Sequence, residues 1–465
     1  MIPERLAPVL EVVRPLAARF DEAGHRLYLV GGIVRDLVLG RPLAGGDIDL
    51  TTDAVPDVTT ALAKGWADAV WDQGARFGTV GLKRGDVTIE VTTHRAEAYA
   101  PDSRKPEVSF AAEVEADLSR RDFTVNAMAL RVTGAADQEP ELIDPFGGVA
   151  DLAAGVLRTP LAPEVSFTDD PLRMLRAARF LAGYGLTPEP ALIAAVESLV
   201  ERLEIVSAER VRDELCKLLV VDDPSAGLWF LVDTGIADVI LPELPAMRVE
   251  QDPIHRHKDV LAHTIAVVAK TRPELIVRMA ALLHDVGKPK TRSFGPRGVS
   301  FHHHEVVGAR MARDRLKALR FPNDQVEAIT QLVYLHLRFH GYGDDVWSDA
   351  AVRRYVRDAG PLLDQLNELT RCDCTTRNAR KAKMLADRMD ALEARIVELR
   401  EREELEAIRP DLDGAAVMAH LGITPGREVG EALAMLLEAR MEEGPLGDEE
   451  AYRRLDEWWA ARTSA

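Results

Sequence analysis

Residues 27–50 read LYLVGGIVRDLVLGRPLAGGDIDL, and this stretch decides the fold that we expect for the first part of the chain. The apolar run at 27–30 has the length of a buried strand, and a helical pattern at 33–39 follows two glycines. A strand, a glycine turn and a helix start leave free N–H groups at the turn, which favours an anion there. The turn therefore indicates a phosphate-binding site beside Gly32 and Arg35.

The same stretch ends with two acidic residues at strand spacing. Alternate residues of a strand share a face, so Asp47 and Asp49 project together while their neighbours face the other side. Two carboxylates beside a phosphate-binding turn indicate a divalent metal bound together with a triphosphate. On the next predicted strand pair, 76–83 and 87–93, Glu90 falls on the polar face as a third carboxylate. A solvated strand glutamate is the alternative.

Composition limits the class of protein. The chain has 465 residues, which corresponds to about three domains. Hydrophobic residues make up 47% and aromatic residues 5%, which favours a mostly helical protein with one small sheet. The net charge of −18 argues against a uniformly basic surface, so an RNA partner would need local basic patches. Three cysteines without a disulfide or zinc pattern indicate a cytoplasmic location. We expect no signal peptide and no membrane contact.

The GGIVRD and DIDL segments resemble, at this spacing, the signature of the class II CCA-adding enzyme and bacterial poly(A) polymerase family, which are nucleotidyltransferases of the polymerase-beta superfamily. The resemblance implies an α+β fold: a polymerase-beta-like head with a small mixed sheet, then an all-α neck, an HD-type helical body and a helical tail. The implied domains are the head at 1–157, the neck at 158–244, the HD-type phosphohydrolase domain at 245–376 and a tRNA-contacting tail at 377–465.

Three further head segments match the family. The run RRDFTVNA at 120–127 is similar to its ribose-reading motif. Asp122 can accept a hydrogen bond from a 2′-hydroxyl, and Arg121 can pair with a phosphate in a bidentate manner. The polar segment at 97–110 corresponds to a flexible loop of the family. We interpret DPFGG at 144–148 as a structural turn.

The neck begins with DDPLR at 169–173, which resembles the family motif that reads the incoming base. Asp170 accepts and Arg173 donates hydrogen bonds. Cytosine and adenine both offer an amino donor beside a ring acceptor, whereas guanine and uracil present the reversed order, so the pair suits C and A. Arg176 and Arg179 would reach the triphosphate or brace Asp170. A solvated, capped helix is the alternative.

The neck continues at 207–219 with SAERVRDELCKLL, which resembles another segment of the family. We expect this segment to be helical and to position other residues.

The third region carries histidines and acids over residues 263–373. LLHDVGK at 282–288 places His284 beside Asp285 inside an apolar helix, where a buried pair needs partners. Imidazole and carboxylate groups can together bind one metal. The pattern resembles an HD-type phosphohydrolase domain. The resemblance implies metal ligands at His263, His284, Asp285 and Asp373, with His304 and His336 as phosphate-side or second-metal residues. Within the HHH run at 302–304, the last histidine matches best. A helical module without metal is the alternative.

The tail is predicted to form helices at 378–404, 413–420 and 429–442. Four basic residues near its start would contact the RNA backbone or form a solvated face: Arg377, Arg380, Lys381 and Lys383.

The resemblance implies template-independent addition of CCA to tRNA 3′ ends from CTP and ATP, with release of pyrophosphate. Mg²⁺ would be held by Asp47 and Asp49, with Glu90 as the third catalytic acid, and the HD domain would use a divalent metal of unknown identity for phosphohydrolysis. The alternatives are poly(A) synthesis, addition of only CC or only A, or an HD phosphohydrolase whose head merely binds tRNA or nucleotide.

Overall fold

The computed structural model describes residues 4–42, 47–71, 78–98, 107–249, 259–295, 298–339, 347–374, 378–403 and 409–463. The chain divides into two compact units, Met1–Ile240 and Leu241–Ala465. The finer division into head, neck, HD domain and tail remains a prediction.

The first unit contains the main sheet. Its strands are β1 (Leu27–Val30), β2 (Asp47–Thr52), β3 (Ala69–Trp71), β4 (Thr79–Arg84), β5 (Val87–Thr93), β6 (Arg95–Ala98), β7 (Glu107–Phe110), β8 (Ala129–Val132), β9 (Glu141–Ile143), β10 (Val156–Leu157) and β11 (Thr187–Pro188). Seven of these described strands form one mixed sheet in the order β3-β4-β5-β2-β1-β8-β9. The pairs β6-β7 and β10-β11 form separate two-stranded ladders.

Helices surround this sheet and form the second half of the unit. They are α1 (Ala7–Glu22), α2 (Gly32–Val38), α3 (Pro56–Ala63), α4 (Val114–Ser119), α5 (Gly148–Ala154), α6 (Pro163–Asp169), α7 (Leu172–Tyr184), α8 (Pro190–Leu199), α9 (Ala208–Leu219), α10 (Ser225–Asp233) and α11 (Ile236–Ile240). Helix α7 packs against α9 and α10 through its apolar face, which includes Leu175, Ala178 and Leu181.

The centre of the sheet follows from the sequence pattern. Strand β1 is buried at all of its residues, as its continuous apolar run predicts. In β2, Ile48 and Leu50 are buried, whereas Asp47 and Asp49 are exposed. The predicted alternation is therefore confirmed, and it leaves two carboxylates on the open face of a central strand.

A glycine turn connects β1 to α2. Gly31 has φ of 74°, a left-handed conformation that a residue with a side chain adopts only under strain. A Cβ at this position would lie 3.4 Å from Arg121 Nη1 and 3.7 Å from Asp49 Oδ2. The absence of a side chain at Gly31 thus leaves room beside both residues.

Three predictions for this unit need correction. The helix expected at 55–67 ends at Ala63, because Gly65 follows with φ of 77°. The segment 97–110 is not wholly a loop, since its ends belong to the antiparallel pair β6-β7; residues 99–106 lie outside the described residues. The strand expected at 76–83 does not include Gly78, which lies in a turn before Thr79; residues 76–77 lie outside the described residues.

The second unit is mainly helical. Its elements are α12 (Glu243–Ala246), α13 (Val260–Lys270), α14 (Leu275–Leu283), α15 (Lys288–Thr291), β12 (Arg292–Gly295), β13 (Gly298–Phe301), α16 (His304–Ala318), α17 (Asn323–Leu335), α18 (Asp349–Ala359), α19 (Leu363–Asp373), α20 (Ala379–Glu403), α21 (Gly414–Leu421), α22 (Arg427–Glu443) and α23 (Asp448–Thr463). Helix α14 packs against α13, α17 and α19. Among the described residues, no helix combines the length and the apolar character that crossing a bilayer requires.

The C-terminal helices α21 to α23 form a small apolar core of their own.

A buried ion pair joins α18 to the helices that follow it. Arg353 Nε donates to Glu403 at 2.7 Å, and Arg353 Nη1 donates to the carbonyl of Met441 at 3.1 Å. The three predicted tail helices are present with small shifts, but α23 was not predicted.

Candidate active sites

The three acidic residues of the head lie on neighbouring strands. Strands β2 and β5 are parallel, and their register pairs Asp49 directly with Glu90. Partial loss of hydration raises the pKa of Glu90, and the carboxylates of Asp49 and Asp47 raise it further. Partial loss of hydration also raises the pKa of Asp49, where Arg121 opposes the shift and Asp47 adds to it. Such mutual repulsion is relieved when a cation binds between the carboxylates.

A cleft of about 360 Å³ opens beside these acids. It is lined by Val30, Asp49, Leu50, Glu90, Thr92, Arg95, Arg120, Arg121, Asp122, Asp170, Leu172, Arg173, Arg176 and Arg210. These lining residues include six arginines and four carboxylates. The cleft therefore offers both cation-binding oxygens and anion-binding guanidinium groups, which is the combination that a metal–triphosphate requires.

A buried aspartate orients two of the arginines. Asp117 is fully buried in α4 and accepts hydrogen bonds from Arg120 Nη2 at 2.6 Å and from Arg121 Nη2 at 3.2 Å. Burial alone would raise the pKa of Asp117, but Arg121 and Arg120 outweigh it and lower the pKa. The sequence reasoning missed Asp117, although it stands three residues before Arg120 in the matched segment.

Asp122 is held rigidly by three groups. Its Oδ1 accepts from Phe123 N at 2.9 Å and from Asn126 Nδ2 at 3.0 Å, and its Oδ2 accepts from Arg176 Nε at 2.9 Å. Burial opposes ionisation, but Arg176 and Asn126 prevail and lower the pKa of Asp122 to about 2. Asp122 is therefore an ionised acceptor at neutral pH.

The predicted base-reading pair lies at the start of α7. Asp170 Oδ1 accepts from Leu172 N at 3.2 Å, and Asp170 Oδ2 accepts from Arg210 Nη2 at 2.9 Å. Arg173 is buried, donates from Nη1 to Ser166 Oγ at 2.8 Å and donates from Nη2 to the Arg120 carbonyl. Both side chains are thus fixed before any nucleotide binds.

The arginine that contacts Asp170 is not one of the two that the sequence analysis named. Arg176 pairs with Asp122 and Glu214, and Arg179 donates from Nε to Glu214 at 2.8 Å. Asp170 instead accepts its hydrogen bond from Arg210 of α9. The prediction that Arg176 or Arg179 braces Asp170 is therefore wrong, because both of these guanidinium groups turn toward the buried Glu214 carboxylate.

Arg35 belongs to a buried network rather than to the open cleft. Arg35 Nε donates to Asp36 at 3.0 Å, Arg35 Nη1 donates to Asn126 Oδ1 at 2.7 Å, and the guanidinium lies 4.2 Å from the centroid of the Tyr184 ring. Since Asn126 also contacts Asp122, Arg35 supports the ribose-reading segment. Four predicted site residues are not among those that line the cleft: Gly32, Arg35, Asp47 and Arg179. Their roles in catalysis and nucleotide binding stay predictions.

In the second unit, the predicted histidines and aspartates converge in two groups: His263, His284 and Asp373, and Asp285, His304 and His336. In the first group, His263 Nε2 lies 2.9 Å from Asp373 Oδ1. His284 Nε2 lies 3.5 Å from the same oxygen. Three ligand atoms, from α13, from the residue that directly follows α14, and from α19, are therefore within reach of one cation. The prediction that the His284–Asp285 pair lies inside an apolar helix is wrong, because α14 ends at Leu283 and the pair lies in the turn after it.

The second group adjoins the first through Asp285. Asp285 Oδ2 lies 3.2 Å from His284 Nε2, whereas Asp285 Oδ1 lies 3.4 Å from His304 Nε2. His304 Nε2 and His336 Nε2 are 3.3 Å apart. Lys288 Nζ also donates to Asp285 Oδ2 at 2.6 Å. One carboxylate thus joins the two groups.

The buried histidines point their Nε2 atoms toward the cluster centre. His284 Nδ1 lies 2.7 Å from the Ala281 carbonyl, His304 Nδ1 lies 2.7 Å from the Phe301 carbonyl, and the Nδ1 atom of the third ring contacts a carbonyl of α17 in the same way. Donation from Nδ1 leaves the Nε2 lone pair for a metal. Among the described residues, His284 Nε2 and Asp285 Oδ1 are buried without a hydrogen-bond partner. These residues therefore fit a divalent metal.

The carboxylates of the cluster attract positive charge, which a proton on His284 supplies in the absence of metal and a metal ion would supply in its place. Burial alone would lower the pKa of His284, but Asp285 and Asp373 raise it to about 10. The pKa of each of these carboxyl groups lies well below its usual range, chiefly because the histidines oppose the effect of burial. Burial and the neighbouring His284 lower the pKa of His336 to about 3, so that ring is neutral.

The structure distinguishes the three consecutive histidines. His304 is buried and faces Asp285, whereas His302 and His303 are exposed. His303 adopts φ of 58° at the start of α16. The geometry agrees with the selection of His304 from the sequence.

Three family models match the chain: the poly A polymerase head domain at 27–158, the probable RNA and SrmB-binding site of polymerase A at 185–247, and the HD domain at 260–402. The A-adding tRNA nucleotidyltransferase of Deinococcus radiodurans is 37% identical over 370 residues, which cover 75% of this chain and 80% of that protein. The multifunctional CCA protein of Neisseria gonorrhoeae is 35% identical over 333 residues, which cover 68% and 75%. This chain belongs to the CCA-adding tRNA nucleotidyltransferase family.

The fold of this tRNA nucleotidyltransferase is also that of a solved relative. The crystal structure of the Bacillus stearothermophilus CCA-adding enzyme in complex with CTP matches with a TM-score of 0.72 and 24% identity, and the match covers 100% of both chains. The likeness supports an α+β head followed by a helical body.

Four residues of this nucleotidyltransferase support the site but were not singled out from the sequence: Asp117, Ser166, Arg210 and Glu214. Arg210 and Glu214 lie in the matched segment 207–219, where their spacing of four could have placed them on one face of the helix. Their partners on other elements had no signal in the sequence.

Proposed function

We propose that this tRNA nucleotidyltransferase adds C, C and A, in that order, to tRNA 3′ ends from CTP and ATP. The observation that carries the proposal is the cleft that brings Asp49 and Glu90 together with Asp170 and Arg173. The relatives support this reaction over poly(A) synthesis and over a binding-only head. Because one relative is named as A-adding, a test of product length must distinguish addition of A alone from addition of CCA.

In the head, Asp47, Asp49 and Glu90 would hold Mg²⁺, which would lower the pKa of the tRNA 3′-hydroxyl and offset the triphosphate charge. The 3′-oxygen attacks the α-phosphorus, the bond to the bridging oxygen breaks, and pyrophosphate leaves. Arg121, held by Asp117, binds the phosphates, and Asp122 accepts from the ribose 2′-hydroxyl.

Base selection is proposed to rest on Asp170 and Arg173. A carboxylate acceptor next to a guanidinium donor matches the amino group and ring nitrogen of cytosine and adenine. Against uracil or guanine the same pair leaves polar groups unpaired, which costs about 1–3 kcal/mol for each group. Arg210 contributes by fixing the orientation of Asp170.

We expect Arg173→Ala to erode discrimination against UTP and GTP by roughly 10- to 100-fold, because one hydrogen-bonded contact worth about 1–3 kcal/mol is lost. The measurement is the ratio of CTP to UTP incorporation into tRNA that lacks its 3′ end. Arg173→Lys keeps the charge but loses the planar donor fork, so it tests geometry against charge. An unchanged ratio in Arg173→Ala contradicts the base-reading role.

The product lengths test the reaction itself. From tRNA ending at the discriminator base, we expect growth by three nucleotides with CTP and ATP, by two with CTP alone, and almost none with ATP alone. Addition of A only to tRNA that already ends in CC would assign an A-adding enzyme. Long ladders with ATP alone would assign a poly(A) polymerase.

For the second unit, we propose metal-dependent hydrolysis of phosphoesters. Its ligands would be the two groups around Asp285, and a bound divalent metal there would activate a water molecule. The water oxygen bonds to phosphorus, the ester P–O bond breaks, and the leaving oxygen takes a proton. Lys288, in contact with Asp285, lies where it can bind a phosphate oxygen.

Contact with tRNA is proposed for the basic start of α20, with Arg380 and Lys381. Lys383 pairs there with Asp387 at 3.0 Å and is exposed, and Arg377 lies outside the described residues. A cytoplasmic location is supported by three free cysteines.

A further inference from the structure

A hairpin lies in the sequence between two residues of the histidine–aspartate cluster, Asp285 and His304. Strand β12 follows α15, which begins at Lys288, and β13 precedes α16, which begins at His304. In the hairpin register, Arg292 pairs with Phe301, and Phe294 is two residues further along β12. Paired and alternate residues share a face of the ladder, so Arg292, Phe294 and Phe301 form one face, which we call the hairpin face.

The hairpin face continues into the cluster through alternating aromatic and cationic groups. The Arg292 guanidinium lies 4.8 Å from the centroid of the Phe294 ring, and Lys288 Nζ lies 5.7 Å from the centroid of the Phe301 ring. Lys288 Nζ is also 2.6 Å from Asp285 Oδ2. The side chains of the hairpin face and Lys288 thus extend from Phe294 to Asp285, a proposed metal ligand.

Phe294, at the end of the hairpin face farthest from Asp285, is highly exposed to solvent. Phe294 is 72% exposed, the largest value among the exposed large hydrophobic side chains of the described residues. A single exposed apolar side chain is ordinary by itself. Here, however, it stacks on Arg292, whose Nε is buried and has no hydrogen-bond partner among the described residues. A ligand at this position could contact both groups.

The charge of the segment indicates the chemistry of that ligand. Residues 288–295 read KPKTRSFG, with three cations and no carboxylate, in a chain whose net charge is −18. An exposed aromatic ring among cations is the combination that binds nucleotides, since bases stack on the ring and phosphates attract the cations. Phe294 is two residues, or about 7 Å, further along the strand than the Arg292–Phe301 pair. The ribose of a nucleotide can bridge such a separation between its base and its phosphate.

We propose that the hairpin face is a nucleobase platform for the second active site. Phe294 stacks on the base of a nucleotide or of an RNA 3′ end whose phosphoester lies at the cluster, and Arg292 and Lys288 bind its phosphate oxygens. This inference rests on the proposed phosphohydrolase function and adds to that site the side chain that contacts the base, Phe294.

The kinetic test compares two cyclic phosphodiesters in the full-length protein. We expect Phe294→Ser to raise KM for 2′,3′-cyclic AMP about tenfold with little change in kcat, because one stacking contact is lost. Hydrolysis of glycerol 1,2-cyclic phosphate, which has no base, should not change, and Phe294→Trp should restore the wild-type KM. A cyclic-phosphate-ended oligonucleotide assayed in parallel shows whether the free nucleotide or the RNA end depends more on Phe294, and either result supports the platform.

A matched control is available on α17. Tyr334 is 51% exposed and stands two residues before His336, so it faces nearly the opposite side of the helix from the cluster. Tyr334→Ser should leave KM for both substrates unchanged. An equal loss with both substrates in Phe294→Ser, or no change with either, would overturn the proposal.

A binding measurement separates the platform from the hydrolysis. In EDTA, addition of AMP should quench the fluorescence of the Phe294→Trp protein, whereas Tyr334→Trp should respond only as the wild type does. If the wild type hydrolyses no phosphoester with any divalent metal but quenching occurs, the phosphohydrolase proposal fails and the platform stands. If hydrolysis occurs without quenching and without a change in KM, the platform fails alone.

Discussion

Asp49→Asn and Asp47→Asn are each expected to reduce nucleotide addition about a thousandfold or more. Both substitutions keep the shape of the side chain but remove a charge from the carboxylates that β2 and β5 bring together. A metal ion contributes several kcal/mol of charge stabilisation to phosphoryl transfer, and each 1.36 kcal/mol corresponds to a factor of ten. The measurement is the single-turnover rate of CTP incorporation into tRNA that lacks its 3′ end.

Asp86→Asn is the matched control, because Asp86 is exposed in the turn that precedes β5. It should retain the wild-type rate. Binding of tRNA and the melting temperature should be unchanged in all three variants, since the removed charges lie on an open strand face. Wild-type turnover in Mg²⁺ by either Asp47→Asn or Asp49→Asn would refute the assignment of that residue as a metal ligand.

The second large effect concerns the histidine–aspartate cluster. We expect His284→Ala combined with Asp285→Ala to abolish phosphohydrolysis and to leave CTP and ATP incorporation intact. The cluster and the nucleotide cleft lie in different compact units, so loss of one activity should not affect the other. The assays are hydrolysis of 2′,3′-cyclic AMP with Mg²⁺, Mn²⁺, Ni²⁺ or Co²⁺, and CCA addition by the same preparation.

Removal of two buried side chains can also destabilise the unit, so Asp285→Asn provides a milder test. It keeps the volume of the side chain and removes the charge that joins the two ligand groups. His302→Ala is the control, since His302 is exposed and outside both groups. Hydrolysis that persists in Asp285→Asn at the wild-type rate, or a wild type inactive with all four metals, contradicts the proposed site.

Local patterns were sufficient for the strands that carry the acids. The two-residue period of a strand determines which side chains share a face, and this period is visible in DIDL and in VTIEVTT. The prediction placed Asp47, Asp49 and Glu90 on the open face, and the structure agrees. The helix expected at 55–67 was too long, because an apolar period does not show where a glycine will end it.

Local sequence patterns could not predict the ion pairs between residues that are distant in the sequence. Arg176 reaches Asp122 across 54 residues, and Arg210 reaches Asp170 across 40. Such contacts depend on how helices pack, and a guanidinium has many acceptors within its reach. The hairpin of β12 and β13 was also not predicted, since its short strands are bounded by glycines and carry no long alternation.

By itself, the sequence determined the classes of residue that do the chemistry: paired carboxylates after a glycine turn, an Asp–Arg pair at a helix start, and a His-Asp pair beside an apolar helical segment, which the structure places just after the end of α14. These features are local, and their periods and spacings can be read directly from the sequence. Only the tertiary structure decided which buried carboxylate holds which arginine, that Asp285 lies between the two groups of ligands, and that Phe294 lies on the same face of the hairpin as Arg292 and Phe301. These outcomes depend on packing between distant segments, where burial makes every charged group find a partner and geometry selects which one.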